Sequence, residues 1–392
     1  MHHTEVAIIG AGIVGLSAAY ALLSKGVKNV RVLERNTIGH TRGTSYGLSR
    51  LLRFEYGDDC LYTEMVRQSL QAWKLLERRS QINLYTRTGI LALGHEDDNY
   101  TLPSYQLLRE QGFPIERLSH QTCRTLFPHF NTQDYNLLTY NTNAGLLHAT
   151  TCLQTLKGLI LDMGGKIITN CNVAKITHEN SRAPIRLQLE KQHELAAERV
   201  ILAPGPWIHH FLGDLHLPIR MTRQYALYFA NLPTSTFGLS AFPAFMAGDM
   251  YGFPIHNSRV KGYEPGWLKA TSHTFGPPVD PDAPPAIDQS YVTQLVQRLC
   301  DLIPQLQQAR LAHIDTCIYD VSPNEDFILD NHPQDPRIVF ATGLTGHGFK
   351  FGPLLGEILG ALLYQTAPSI ATERFRLARF AQYMLAPTSS VA

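Results

Sequence analysis

Short apolar runs alternate with longer amphipathic ones along this chain, and the first forty residues carry both. Val6 to Ile9 is a short apolar run with the length and composition of a fully buried strand. Gly10-Ala11-Gly12-Ile13-Val14-Gly15 follows, and the small and apolar residues from Leu16 to Ser24 predict a helix. A second apolar strand, VRVLE, ends at Glu34. Between Thr63 and Arg79, Met65, Val66, Leu70, Trp73 and Leu76 form an apolar stripe, which predicts an amphipathic helix capped by Thr63, closed by arginines and devoted to packing. Near His313 the period changes to strict alternation: Asp315, Cys317 and Tyr319 share one face of a strand, and Ile314, Thr316 and Ile318 share the other. IVFATG predicts a further strand leading into a turn, and FKFGPLLGEILGALL the start of a helix. The Pro-rich stretch Gly276 to Asp288 reads as a loop within a lobe, and there is no internal repeat.

Composition narrows the class. A length of 392 residues suits two or three lobes, and 44% hydrophobic with 17% charged residues describes an ordinary globular protein. A net charge of +1 gives no reason to expect nucleic acid or an anionic membrane as partner. The six cysteines are scattered without a C-x-x-C pair, as expected of thiols in a reducing compartment, and the cytoplasm is the expected location. Val6 to Leu23 has the length of a membrane span, but it holds three glycines and runs straight into Lys25. Without a basic lead-in it is no signal peptide either. The C-terminal SSVA reads as no address.

The glycine run carries the first chemistry. Strand, G-x-G-x-x-G, helix, and an acid at Glu34, nineteen residues after Gly15, are the parts of a dinucleotide cradle. Gly10 makes the tight turn, Gly12 lets pyrophosphate approach the backbone, and Gly15 allows close helix–strand packing. The helix N-terminus faces the phosphates and Glu34 accepts from ribose hydroxyls. The motif does not itself decide between NAD and FAD.

Two other patterns fail on context. GTSYG (Gly43 to Gly47) matches G-x-S-x-G with Ser45 as nucleophile, but the loop-like NTIGHTR precedes it where a hydrolase needs an apolar strand. The seventeen histidines show no metal-ligand spacing, so no metal is expected. More promising are Arg50 and Arg53 in SRLLRFEYG, which share a face on a helical turn and point apart on a strand. In apolar company a guanidinium suits a carboxylate, which it grips bidentately. Cys317 is displayed beside polar groups, and the pattern alone leaves a reactive and an inert thiol both open. Lys269 and His273, four apart, share a face of a further strand. Lys350 stands between Phe349 and Phe351 behind Gly343, Gly346 and Gly348, a costly burial unless an anion meets it.

Taken together, IIGAGIVG, SRLLR, VILAPGPW, YGFP, CIYD…FILDNHP and GHGFKF resemble the monomeric sarcosine oxidase and N-methyltryptophan oxidase family, a branch of the D-amino-acid-oxidase-like flavoproteins. The resemblance runs over nearly the whole chain, and the order of the landmarks is more specific than any one of them. It implies an α/β fold: a discontinuous Rossmann-like FAD-binding domain (1–79, 145–216, 313–392) with an α+β substrate domain on a large mixed or antiparallel sheet (80–144, 217–312). It also implies FAD, covalently held as a thioether between Cys317 and the flavin 8α-methyl group. Arg53 and Lys350 match the pair that binds the substrate carboxylate, and Lys269 the lysine that promotes reaction with oxygen through water at flavin N5. Arg50 matches a flavin-proximal arginine; Tyr251, His273 and Tyr319 match side chains of the substrate pocket. Arg35, Ser45, Val173, Gly205, Gly346 and Gly348 join the cofactor cradle by the same resemblance, and Lys350 also borders it.

The implied reaction is oxidation of a secondary or N-methyl amino acid. A hydride equivalent leaves the C–H bond next to nitrogen, the resulting imine hydrolyses, and oxygen returns as hydrogen peroxide. The implied protein is a monomer whose partners are a carboxylated amine and oxygen. Rival readings are a cyclic imino acid or other amino acid oxidase of a biosynthetic pathway, and a non-catalytic FAD-binding protein. The last would keep GAGIVG without needing Cys317, Arg53, Lys269 and Lys350 together. Tyr46, where sarcosine oxidases have a histidine, and Gly352-Pro353, in place of small polar residues, depart from the family pattern and leave the pocket's entrance and size open.

Overall fold

In the computed structural model, residues 2–178, 183–190, 193–256 and 260–384 are described, and the C-terminal SSVA lies outside them. Among the described residues the chain builds two eight-stranded sheets and one of three strands. The first sheet is centred on His2–Ile9, which runs parallel to Val30–Leu33 on one side and to Glu194–Leu202 on the other. Lys166–Ile168 extends it beyond Val30–Leu33, again in parallel. Strands buried on both faces need continuous apolar runs, and Val6, Ala7, Ile8 and Val32 are fully buried. Asp335–Thr342 lies parallel to the end of Glu194–Leu202 and forms a hairpin with Ile328–His332.

The run that had the length of a membrane span is thus a strand and a helix, Ile13–Ser24, joined by the glycine turn. Among the described residues no helix is long and apolar enough to cross a membrane. Helix Gly352–Leu363 packs on Ile13–Ser24, and two glycines make this possible. A Cβ at Gly352 would stand 2.5 Å from Ile13, and one at Gly356 would stand 2.4 Å from the backbone of Ser17. The Gly352-Pro353 departure therefore has a local cause: glycine for helix contact and proline in the first turn, where no N–H is needed.

The second sheet has the order Arg310–Val321, Arg220–Ala230, Leu268–Ser272, Met250–Phe253, Ala244–Ala247, Ile90–Gly94, Leu137–Asn141, Ile115–Arg117. It is mixed: its one parallel pair among the described residues is Ala244–Ala247 with Ile90–Gly94. The alternating strand Arg310–Val321 pairs along its whole length with Arg220–Ala230, from Arg310 opposite Ala230 to Val321 opposite Arg220. The boundary expected between Ala312 and His313 falls inside it. Alternation reveals a strand but not its partner, and the chain returns to the first sheet only at Ile328. The third sheet joins Ser49–Leu52, Gly145–His148 and Tyr85–Arg87.

The amphipathic helix runs from Cys60 to Ser80. Its cap is Asp59, whose side chain accepts from the Tyr62 N–H, and not Thr63, whose hydroxyl donates to the Phe54 carbonyl instead. A capping hydroxyl three residues inside the helix has no free N–H to meet. Trp73, fully buried on its apolar stripe, donates from its indole N–H to the Lys350 carbonyl at 2.7 Å and stacks on Phe349. The helix is therefore packed directly under the turn that holds Lys350.

Candidate active site

Two cavities meet inside this framework. The larger, about 850 Å³, begins at the glycine turn. Gly10 has φ +100°, and a Cβ there would stand 2.3 Å from the Ala203 carbonyl oxygen. A Cβ at Gly15 would stand 1.9 Å from the Gly10 carbonyl oxygen, so Gly15 serves packing and does not line the cavity. Gly12 starts the helix with no side-chain cap, while the Ile13 N–H donates to Ser45 Oγ at 3.0 Å. The other amides of the first turn remain available to an anion. Glu34 Oε2 accepts from the Ala11 N–H and Oε1 from the Asn36 N–H, both at 2.8 Å, which fixes an otherwise buried carboxylate at the cavity wall. Arg35, Val173 and Gly205 line the same cavity.

Its mouth is bridged by a residue of the Pro-rich stretch. Asp282 accepts from Arg35 at 3.1 Å and from the Trp207 indole N–H at 2.9 Å, with Arg42 and His210 at 3.4 Å. Arg35 in turn lies 4.4 Å over the Trp207 ring. A loop that leaves the second sheet thus closes on groups of the first.

The smaller cavity, about 470 Å³, contains Arg53, Lys350, Tyr251 and His273. Arg53 donates to the Glu55 carbonyl and the Tyr100 hydroxyl, and its guanidinium lies 4.4 Å over the Tyr56 ring. Lys350 Nζ donates to the Tyr56 hydroxyl at 2.7 Å and the His347 carbonyl at 3.0 Å. Burial, reinforced by the Arg53 charge, holds the Lys350 ammonium well below its ordinary pKa. Burial and the charges of Arg53 and Lys350 also lower His273, to about 4, so this imidazole is neutral at physiological pH. Tyr251 and Tyr319 face each other through their hydroxyls at 3.5 Å. Tyr319 lines the larger cavity and Tyr251 the smaller.

Arg50, Gly346 and Phe349 line both cavities and form the wall between them. Arg50 lies on strand Ser49–Leu52 and Arg53 just beyond its end, which places the two guanidiniums in different settings. Arg50 donates to the carbonyls of Thr44, Tyr46 and Ser49, and so ties the loop that carries Ser45 to the strand. The glycines of the C-terminal turn answer first to the protein itself. A Cβ at Gly346 would stand 2.1 Å from the Tyr319 ring, and one at Gly348 would stand 2.8 Å from Leu344. Both glycines line the larger cavity.

Lys269 and Cys317 both feel the charge of Arg50. Neither is among the residues lining the two cavities. Lys269 is buried, donates to the Ser49 carbonyl at 3.0 Å, and is lowered to about 7 by burial and the Arg50 charge. His273, expected to share its face, lies one residue past the end of strand Leu268–Ser272 and feels Arg53 and Lys350 instead. Burial raises the Cys317 thiol, while Arg50 and Lys269 pull it down. Among the described residues no cysteine is in a disulfide.

Tyr56, Tyr100 and His347, which dress the Arg53–Lys350 pair, escaped the sequence reading. Tyr100 arrives from a polar loop with no periodic signal, and Tyr56 and His347 became meaningful only through their neighbours. The residues present fit a flavin dinucleotide: an uncapped helix N-terminus for the pyrophosphate, a fixed carboxylate for a ribose, and a cavity long enough to reach the Arg50–Phe349 wall.

Comparison with known proteins agrees. The FAD dependent oxidoreductase family (DAO) matches residues 5–362. The chain is 33% identical over 385 residues to peroxisomal sarcosine oxidase of Mus musculus, covering 96% of each. It is 29% identical over 387 residues to N-methyl-L-tryptophan oxidase of Salmonella arizonae, covering 96% of this chain and 99% of that one. Monomeric sarcosine oxidase of Bacillus sp. is 27% identical over 375 residues, covering 92% of each. In fold the chain is similar to L-proline dehydrogenase from P. horikoshii (TM-score 0.84, 18% identity, 97% and 98% covered) and to the amino acid oxidase NikD in its open form (TM-score 0.81, 20% identity, 96% and 98% covered).

Proposed function

The chain belongs to the FAD dependent oxidoreductase family, and from that premise we propose that it oxidises secondary or N-methyl amino acids, with oxygen as acceptor and hydrogen peroxide as product. The observation that carries this reading is the pair Arg53 and Lys350, one half-buried and one buried cation on the wall of a cavity that adjoins the dinucleotide cradle. Two such groups are held at a desolvation cost that a substrate carboxylate offsets. When bound, FAD supplies the two-electron acceptor, with Gly10, Gly12, Glu34, Arg35, Ser45, Val173 and Gly205 holding its dinucleotide part. Arg53 and Lys350 grip the carboxylate and turn the C–H bond beside nitrogen toward the Arg50–Phe349 wall. Neutral His273 and the Tyr251–Tyr319 pair line the place of the amine without adding charge there. Lys269 holds its proton at Nζ close to neutral pH, in a buried setting suited to electrostatic assistance of oxygen reduction. A cavity of about 470 Å³ with Leu51, Met246 and Met250 among its walls takes a side chain larger than a hydrogen atom.

The same reading gives Cys317 a covalent bond to the flavin. Burial raises its thiol overall, and the charges of Arg50 and Lys269 offset part of that rise toward the thiolate, the form that reacts. The test joins both claims. Purified protein is expected to be yellow, with flavin in the acid-precipitated pellet and released to the supernatant by Cys317→Ser. A peroxide-coupled screen is expected to respond to N-methyl and cyclic amino acids but not to their methyl esters. Equal turnover of acids and esters would remove the clamp from the reading. Flavin wholly in the wild-type supernatant would remove the covalent bond.

A further inference from the structure

Strand Arg310–Val321 ends beside the larger cavity on a carboxylate that the proposed reaction does not use. Asp320 lines that cavity one residue beyond Tyr319 and is 5% exposed. Its Oδ2 accepts from the Thr342 hydroxyl at 3.3 Å and from the Leu344 N–H at 3.2 Å; among the described residues it has no cationic partner. Its carbonyl oxygen accepts from the Thr345 N–H at 3.0 Å, and the Ser322 N–H donates to Thr345 Oγ1 at 3.2 Å. Three hydrogen bonds at Asp320 and two at Ser322 therefore fasten the end of this strand to Thr342 and the turn after it.

That turn needs a fastening. Gly343, Thr345 and Gly346 have φ of +64°, +47° and +73°, and Thr345 is a β-branched residue in the left-handed region, where it is strained. The same turn delivers Gly346 and Gly348 to the larger cavity and Lys350 to the smaller. We propose that Asp320 is a positioning residue that fastens this turn, and that proton uptake by its carboxyl shifts the reduction potential of FAD in the adjoining cavity. The proposal rests on the reading that FAD occupies the larger cavity.

The sign follows from the surroundings. Ionised, Asp320 accepts both donors and places a negative charge in the wall, which opposes added electrons in the cavity. Protonated, it loses that charge, and the potential rises. Burial raises this carboxyl to about 6, against the Leu344 N–H, its own N–H, the Thr342 hydroxyl and the Gly343 N–H, which pull it down. Across the strand pair Asp320 faces Met221, and Arg220 stands one register step away opposite Val321. The segment Gly205–Trp207 packed on the strand brings no titratable group, and the turn from Thr342 to Thr345 brings only hydroxyl and amide donors. Tyr319 next to it in sequence and His347 beyond the turn are neutral near pH 6, raised and lowered respectively by burial.

The test is the midpoint potential of the purified FAD-loaded protein, measured with reference dyes from about pH 5 to 8, the range that brackets a titration near 6. Wild type is expected to show a break in the slope of potential against pH, and Asp320→Asn and Asp320→Thr to lose it. Should both variants fail to hold FAD, Thr342→Val serves: losing one donor, it moves the break to higher pH. A wild-type profile without a break overturns the proposal. So does a break that survives in Asp320→Asn, or one that does not move in Thr342→Val. Wild-type protein that takes up no FAD would instead overturn the functional reading itself.

Discussion

Lys269 and Lys350 are both buried cations, yet their surroundings assign them different consequences. Lys269 is lowered to about 7 from its ordinary 10.5, so the folded protein binds fewer protons than the unfolded chain between those values. Its contribution to stability is present at high pH and is lost as pH falls toward 7. Lys269→Met should therefore stabilise the protein at neutral pH, on the order of a few kcal/mol, and by much less near pH 10. Urea unfolding at the two pH values measures this, and stopped-flow reoxidation should show the same variant slowed with oxygen far more than with substrate. Equal slowing of both half-reactions would contradict the assigned role. For the clamp, Arg53→Ala should raise KM for a carboxylated amine by roughly tenfold or more, since a hydrogen bond to a charged group contributes ~1.5–3 kcal/mol. Because burial and Arg53 lower Lys350 well below its ordinary value, wild-type KM should climb as pH rises and this lysine loses its proton. Lys350→Met should have a higher KM that no longer varies through that titration.

Among the elements, helix Cys60–Ser80 shows how packing places chemistry. Its apolar stripe is plain in the sequence, and packing is the only role that stripe predicts. The structure adds a polar role, for the Trp73 indole holds the Lys350 carbonyl. Trp73→Phe keeps much of the ring but leaves that buried carbonyl without its donor, which costs ~1–3 kcal/mol. Thermal unfolding should report the loss, and KM should rise as the Lys350 turn loosens. An unchanged KM would confine Trp73 to packing. Strand Arg310–Val321 makes the complementary point. Alternation grouped Asp315, Cys317 and Tyr319 but did not show that the strand pairs with Arg220–Ala230, because a strand's period says which face a residue is on and not what lies across from it.

The whole molecule brings together segments that sequence distance keeps apart. Arg53 and Lys350 come from opposite ends of the chain, and the wall between the cavities combines Arg50 with Gly346 and Phe349. The Asp282 bridge is also a long-range product, linking a loop after strand Leu268–Ser272 to Arg35, Arg42 and Trp207 at the mouth of the cradle. Asp282→Ala should weaken FAD retention. Fluorescence titration in a Cys317→Ser background measures it apart from turnover, and an unaltered dissociation constant would reduce the bridge to a surface contact.

The sequence by itself determined the strand–glycine turn–helix unit, because its parts are local: a buried strand, a glycine turn and a helix N-terminus follow one another, and the acid at Glu34 follows the next strand. It also determined which side chains were chemically unusual, since a lysine between phenylalanines and a cysteine on a polar strand face stand out without a structure. Only the tertiary structure decided what meets them. Tyr56 and Tyr100 against the clamp, Arg50 against Lys269, Trp73 under the Lys350 turn and Asp320 against Leu344 are contacts between segments far apart in the chain. Strand pairing and side-chain packing create such contacts, and neither leaves a periodic trace in the residues that make them.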